Sequence, residues 1–287
     1  MMQIIGGIPH WSFILVMLST TICAGAESVD QATRARALDI LRAGLHAEPF
    51  WPSMHAAEAL TLAGYPEEVI PPLTRRLQVE QDDRHRCGLA RELYRAGDES
   101  SLPVLFEVLA SEDPYGHGHA CESLFKINQI GDGLLLKRRR DEADQPIKQM
   151  LAAASLARRG DQASLQLIRD QLQNDDDNVA RIAAWLLSTV GVAADISPLR
   201  VRLGKVELPS HQIFFLASLA TLGEPQARKE LKSSMTSDDA QIRVYAAEYC
   251  GTASIESAIP HLKALLDDED LDVRIRAAQS LLMLSQE

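Results

Sequence analysis

Ala247-Glu248-Tyr249-Cys250, running on to Ser254, and Ala278-Gln279-Ser280-Leu281, running on to Ser285, are two copies of one short phrase. Working back along the chain, the phrase recurs as Leu216-Ala217-Ser218-Leu219 before Gly223, Ala184-Trp185-Leu186-Leu187 before Gly191, and Ala153-Ala154-Ser155-Leu156 before Gly160. Earlier still it stands as Cys121-Glu122-Ser123-Leu124, Ala90-Arg91-Glu92-Leu93 before Gly97, and Ala57-Glu58-Ala59-Leu60 before Gly64. The closing positions 64, 97, 128, 160, 191, 223, 254 and 285 are 31 to 33 residues apart. A period this steady predicts a solenoid of stacked units, in which no unit buries its apolar face alone.

The last unit shows how each is built. Ile255 to Leu266 reads as one helix, with Ile259, Leu262, Leu265 and Leu266 apolar at helical spacing. Asp267-Asp268-Glu269-Asp270 interrupts it, and such acids favour helix N-termini by capping and by the helix dipole. Val273 to Leu284 is the second helix, with Ala277, Ala278 and Leu281 on its core face. Acidic turns recur at Gln81-Asp82-Asp83, Ser111-Glu112-Asp113-Pro114, Asn174-Asp175-Asp176-Asp177 and Ser237-Asp238-Asp239. The Gly, Asn or Ser that closes each second helix suits a left-handed C-cap. The first helix is expected at about Val29–Leu45 and its partner from about Pro52.

Asp272-Val273-Arg274-Ile275-Arg276-Ala277-Ala278 followed by Leu281 resembles HEAT repeats, specifically the short kind named for phycobilisome lyases. The resemblance covers roughly residues 30–287, and the chain also resembles uncharacterised exported HEAT-repeat proteins of bacteria. It implies an all-α, right-handed solenoid of about eight helix pairs, with the second helices lining a concave face. Such repeats serve scaffolds, adaptors, bilin lyases and one hydroxylase, so the resemblance bears on fold rather than activity. In an open stack the last helix is a cap, and Arg274, Arg276, Gln279 and Ser285 are expected on its exposed face.

Net charge of −11 disfavours a nucleic-acid or anionic-lipid surface. Leu and Ala dominate, aromatics make up 5 %, and no alternating β-branched runs predict a sheet. Residues 1–26 differ in character: Trp11 to Ile22 is an apolar run, and Ala24-Gly25-Ala26 is a small-x-small site before Glu27. They are expected to be a signal peptide, leaving 27–287 as a single exported solenoid, periplasmic or secreted. The segment Met1–His10 departs from that pattern in lacking Lys and Arg, and an uncleaved anchor is the alternative. Cys87, Cys121 and Cys250 are irregularly spaced and read as buried small apolar residues, with a Cys87–Cys121 bridge as the alternative.

If Ala277, Ala278 and Leu281 face the core, then Asp272, Arg276, Gln279 and Met283 face the concave side. The same positions elsewhere give Trp51, His55, Glu58 and Leu62; Arg84, Gly88, Arg91 and Arg95; and Tyr115, His119, Glu122 and Lys126. Later repeats give an apolar set that includes Ile182, Trp185, Phe214 and Tyr245. The polar set predicts a ligand-binding groove, with Arg84, Arg91, Arg95 and Lys126 for an anionic group and Trp51 and Tyr115 for stacking. A protein or peptide partner, or an anionic ligand, is the expected occupant. For the apolar set two readings stand, an exposed groove for a peptide or helix and inter-repeat core in a shifted register.

His55-x-x-Glu58 and His119-x-x-Glu122 place imidazole and carboxylate one helical turn apart, a spacing that serves a metal or an acid/base pair. With His46, His85 and His117 nearby, this supports an alternative reading as an enzyme of hydroxylase, lyase or hydrolase type with a His/Glu/Arg-rich site in the first three repeats, with or without a metal. The competing account is a salt-bridged ladder Glu58–Arg91–Glu122, which favours no metal and no cofactor. The HEAT-repeat hydroxylase family carries adjacent His-Glu dyads, and this chain has none. No Gly-rich phosphate loop, Gly-x-Ser-x-Gly elbow or Cys-x-x-Cys is present.

Overall fold

The computed structural model describes residues 28–285, so the expected signal segment 1–26 lies outside them. Sixteen α-helices and no strand occur among the described residues. In chain order they pair as α1 (Gln31–Leu45) with α2 (Phe50–Leu62), α3 (Pro66–Leu77) with α4 (Asp83–Arg95), and α5 (Leu102–Ala110) with α6 (His117–Lys126). Then come α7 (Leu134–Glu142) with α8 (Pro146–Arg158), α9 (Gln162–Gln171) with α10 (Asp177–Val190), and α11 (Ile196–Leu203) with α12 (Pro209–Thr221). The last pairs are α13 (Pro225–Ser234) with α14 (Ala240–Thr252) and α15 (Ile259–Leu265) with α16 (Leu271–Met283). The architecture is the expected α-solenoid of eight helix pairs.

Local chemistry sets the helix ends as read. Asp82, Asp176, Asp239 and Asp270 each accept a hydrogen bond from a backbone N–H in the first turn of an even-numbered helix. Gly64, Gly97, Asn128, Gly160, Gly223 and Ser254 all have positive φ, the left-handed cap that ends the helix. Gly191 does not: its φ is −73°, and a Cβ there would lie 2.4 Å from the Leu187 carbonyl oxygen. Glycine serves at that position for space rather than for handedness.

The even-numbered helices pack side by side because the paired positions are small or well filled. Ala56-Ala57, Leu89-Ala90, Ala120-Cys121, Ala152-Ala153, Ala183-Ala184, Ala246-Ala247 and Ala277-Ala278 are all buried. In α12 the pair is Phe215, fully buried, and Leu216, only partly so. The serine of the repeated phrase bonds across the layer: Ser280 Oγ donates to the Ala247 carbonyl at 2.7 Å, Ser123 Oγ to that of Cys87 at 3.4 Å, and Ser218 Oγ to that of Ala184. Cys87, Cys121 and Cys250 are free thiols in this core.

The solenoid does not end in a cap. Helix α16 packs against α1 and α2 as well as α14, so the first and last pairs join and the array closes into a ring. Gly44 of α1 permits the join: a Cβ there would lie 2.8 Å from Ile275 Cδ1 of α16. Arg34 donates to Ser285 Oγ at 2.8 Å, Arg36 pairs with Asp267, and Lys263 reaches Asp30 at 3.4 Å. The exposed terminal face expected at Arg276 and Gln279 is therefore corrected. Both are buried, 2 % and 6 % exposed, because α2 covers the surface that an open stack leaves bare.

Candidate functional site

Ring closure changes what the inner stripe is. In an open stack it lines a groove; here all eight even-numbered helices surround one cavity of about 660 Å³. Its walls include Trp51 and His55 from α2, Arg91 from α4, His119, Glu122 and Lys126 from α6, and Leu151 from α8. Arg181, Ile182 and Trp185 come from α10, Phe214 from α12, Tyr245, Glu248 and Tyr249 from α14, and Asp272 and Arg276 from α16. The polar and apolar halves of the stripe thus face each other. Lys126 Nζ lies 5.7 Å from the Trp185 ring centroid, and the Phe125 and Trp185 rings meet edge-on at 5.7 Å. Ile182, Trp185, Phe214 and Tyr245 all reach the cavity, although Phe214 is 5 % exposed and packs on Tyr245 at 4.5 Å.

Four residues of the polar set lie outside the cavity wall. Glu58 and Arg95 sit beneath it and pair with each other at 2.6 Å. Arg84 and Tyr115 form a cluster with Asp82: the guanidinium lies 4.6 Å over the ring, and Tyr115 Oη donates to Asp82 at 3.0 Å.

Glu58, Arg91 and Glu122 do not form a ladder of direct ion pairs, although Arg91 still acts on both carboxylates through space. Glu58 bridges Arg95 and, across the seam, Arg276 at 3.0 Å; Arg276 also faces Glu248 at 3.5 Å. Arg91 bonds Glu92 at 2.5 Å, Arg95 bonds Glu92 at 2.6 Å, and Glu122 takes Lys126 at 2.9 Å. The physical reason is reach: Glu92 is fully buried beside two guanidiniums of its own helix, takes Arg91, and shares Arg95 with Glu58 of the neighbouring helix. Burial opposes ionisation of Glu58, but Arg95 and Arg276 outweigh it and hold the carboxyl well below its usual range. Burial likewise opposes ionisation of Glu122, and Lys126 and Arg91 reverse it, bringing the carboxyl to about 2.

The same set of pairs engages the residues expected to hold an anion. Arg84, Arg91, Arg95 and Lys126 are each committed to an acid of the protein. Neither His-x-x-Glu motif pairs internally. His55 Nδ1 takes Asp272 across the seam at 2.7 Å, and His119 stacks on Trp51 with ring centroids 5.4 Å apart. Trp51 is thereby engaged by an imidazole and Tyr115 by a guanidinium. Burial lowers the His119 pKa, so this ring is neutral at pH 7. Among the described residues no group of three His, Cys, Asp or Glu side chains is arranged to hold a metal ion.

Asp272, Arg276, Glu248 and Gln241, also at stripe positions, line the cavity as well. Arg181, Val244 and Tyr249 line it from positions next to the stripe. Arg181 carried a signal: its repeat position holds Met54, Cys87, Gly118, Met150, Ile213, Val244 and Ile275 elsewhere.

The profile of the family described as HEAT repeats matches residues 206–282, the stretch from just before α12 through α16. No curated protein matches. Among solved structures, human deoxyhypusine hydroxylase in complex with glycerol is similar at 16 % identity over 90 % of this chain and 99 % of that one, with a TM-score of 0.43. Two engineered proteins are similar at 16 % and 15 % identity, over 86 % and 90 % of this chain and 96 % of each of theirs, both with a TM-score of 0.33.

Proposed function

We propose that this is a binding protein that encloses its ligand inside the ring of helices. The observation that carries the reading is the central cavity, walled by all eight inner helices and about 660 Å³ in volume. That volume falls within the range of about 300–1,000 Å³ typical of small-molecule sites. A polar wall facing an aromatic one suits an amphiphilic molecule or the end of a peptide better than a folded partner, which cannot enter a closed ring. Net charge of −11 continues to disfavour nucleic acid. We place the protein outside the cytoplasm on the character of residues 1–26. N-terminal sequencing of the exported chain tests that placement: a start at Glu27 supports it, and an intact Met1 in the cytosolic fraction refutes it.

The cavity reading is tested by thermal denaturation of the wild type and Trp185→Ala against a panel of metabolite-sized solutes and short peptides. At least one is expected to raise the wild-type midpoint and to have no such effect on the variant. If every ligand found stabilises both proteins equally, binding lies elsewhere and the reading fails.

One observation favours a second reading, an enzyme of hydrolase or lyase type. Asp272 accepts from or shares a proton with His55 Nδ1 at 2.7 Å inside the cavity, and a carboxylate so placed fixes the tautomer that leaves Nε2 to act as a base. Turnover of a cavity ligand that is lost in both His55→Gln and Asp272→Asn, with binding retained, would establish it. Binding without turnover in the wild type would dismiss it.

A further inference from the structure

We propose that the ligand is an organic anion, its charged group held by Arg181 and its apolar body lodged against Trp185 and Tyr245; this rests on the enclosed-ligand reading above. Among the described residues, three of the four arginines and lysines that line the cavity already have acid partners. Arg91 has Glu92, Lys126 has Glu122, and Arg276 has Glu58 and Glu248. Arg181 has no carboxylate within ion-pair distance among the described residues, and Asp176 at the helix start acts on it only through space. Its Nε donates to the Asn178 side-chain oxygen at 2.8 Å, and its guanidinium lies 4.8 Å from the Phe214 ring centroid. Its two terminal nitrogens have no hydrogen-bond partner among the described residues, and Arg181 lines the cavity.

Position sharpens the point. The other seven repeats place an apolar residue or glycine here, and Met54, Cys87, Met150, Ile213 and Ile275 are all fully or almost fully buried. An arginine substituted into such a column brings a charge into partly desolvated surroundings, which costs free energy unless something offsets it. The stacking on Phe214 and the single amide bond offset part of that cost and hold the planar fork in a fixed orientation. A carboxylate, sulfonate or phosphate accepting two parallel N–H bonds would complete the site. Beside the fork stand Ile182, Trp185 and Tyr245, which offer apolar surface to the remainder of the molecule. The acids Glu122, Glu248 and Asp272 on the other walls are engaged by Lys126, Arg276 and His55.

The test uses isothermal titration of the full-length protein with 2-naphthoate and its uncharged counterpart 2-naphthamide. Wild type and the outer-surface control Lys229→Gln are expected to bind the acid at least about tenfold tighter than the amide. In Arg181→Gln that ratio is expected to fall to near one with amide affinity unchanged, and Arg181→Lys should keep only part of it, because an ammonium keeps the charge and loses the fork. Thermal melts confirm that each variant is folded. Equal affinity of acid and amide in the wild type, with both lost in Trp185→Ala, would overturn the anion assignment and leave the enclosed-ligand reading standing. No cavity-dependent binding of either compound would remove both.

Discussion

Glu92 is fully buried and sits 2.5 Å and 2.6 Å from two guanidiniums, so its charge is held entirely by Arg91 and Arg95. Removing one partner of such a buried group strands the others. Glu92→Ala is expected to cost about 3–5 kcal/mol, read by urea denaturation. Glu122 gives a pH signature. Its carboxyl titrates at about 2 in the folded protein against 4.5 for an ordinary glutamate. The folded state therefore binds fewer protons than the unfolded state between these values, and the stabilisation is present above about 4.5 and lost as pH falls toward 2. Stability measured across that window should fall less steeply in Glu122→Gln than in the wild type. At this scale the sequence was legible in part. The stripe positions followed from periodicity, which is a property of backbone geometry. The choice of partner did not, because it depends on which side chains reach which. Glu92 occupies the repeat position held by Ser123, Ser155, Ser218 and Ser280, and a carboxylate in that bridging column was the available sign of a buried ion pair.

At the scale of the helix, boundaries read from capping chemistry and from the repeat agreed closely with α1, α2 and α16. Apolar spacing in the last unit predicts one helix continuous from Ile255. The structure starts α15 at Ile259, after a single 3₁₀ turn at Glu256–Ala258, since Pro260 favours the first turn of an α-helix and not its interior. The contact between α1 and α16 was not legible, because a glycine within a helix reads only as a weak point. Gly44 is instead the place where two helices approach too closely for a side chain. Gly44→Val should force them apart and destabilise the protein by about 1–3 kcal/mol. Hydrogen exchange should then rise first in α1 and α16, while α8 and α10 keep their protection.

For the whole molecule, periodicity announces stacking but not the number of units that completes a turn. Eight repeats close if each rotates by about 45° relative to the last, and that angle depends on packing at every interface rather than on any local motif. Closure brings the two ends of the described chain to the same seam, where Arg34 reaches Ser285. A circular permutant with 28 and 285 joined by a short linker and new termini in the Gln173–Asp176 turn is expected to fold and to melt within a few degrees of the parent. Loss of folding, judged by circular dichroism and the melting midpoint, would mean that the seam is weaker than its contacts indicate.

The closed ring also imposes a sum rule. In an open stack a repeat that bends a little more simply redirects the free end. Here the rotations must total one full circle, so excess curvature at one interface has to be taken back by the other seven. The molecule then behaves as a hoop under a shared geometric constraint, and two substitutions on opposite sides are coupled although they touch nothing in common. Distant changes that add independently in most proteins acquire a common term here: two that both widen the angle compound each other, and two of opposite sense relieve it.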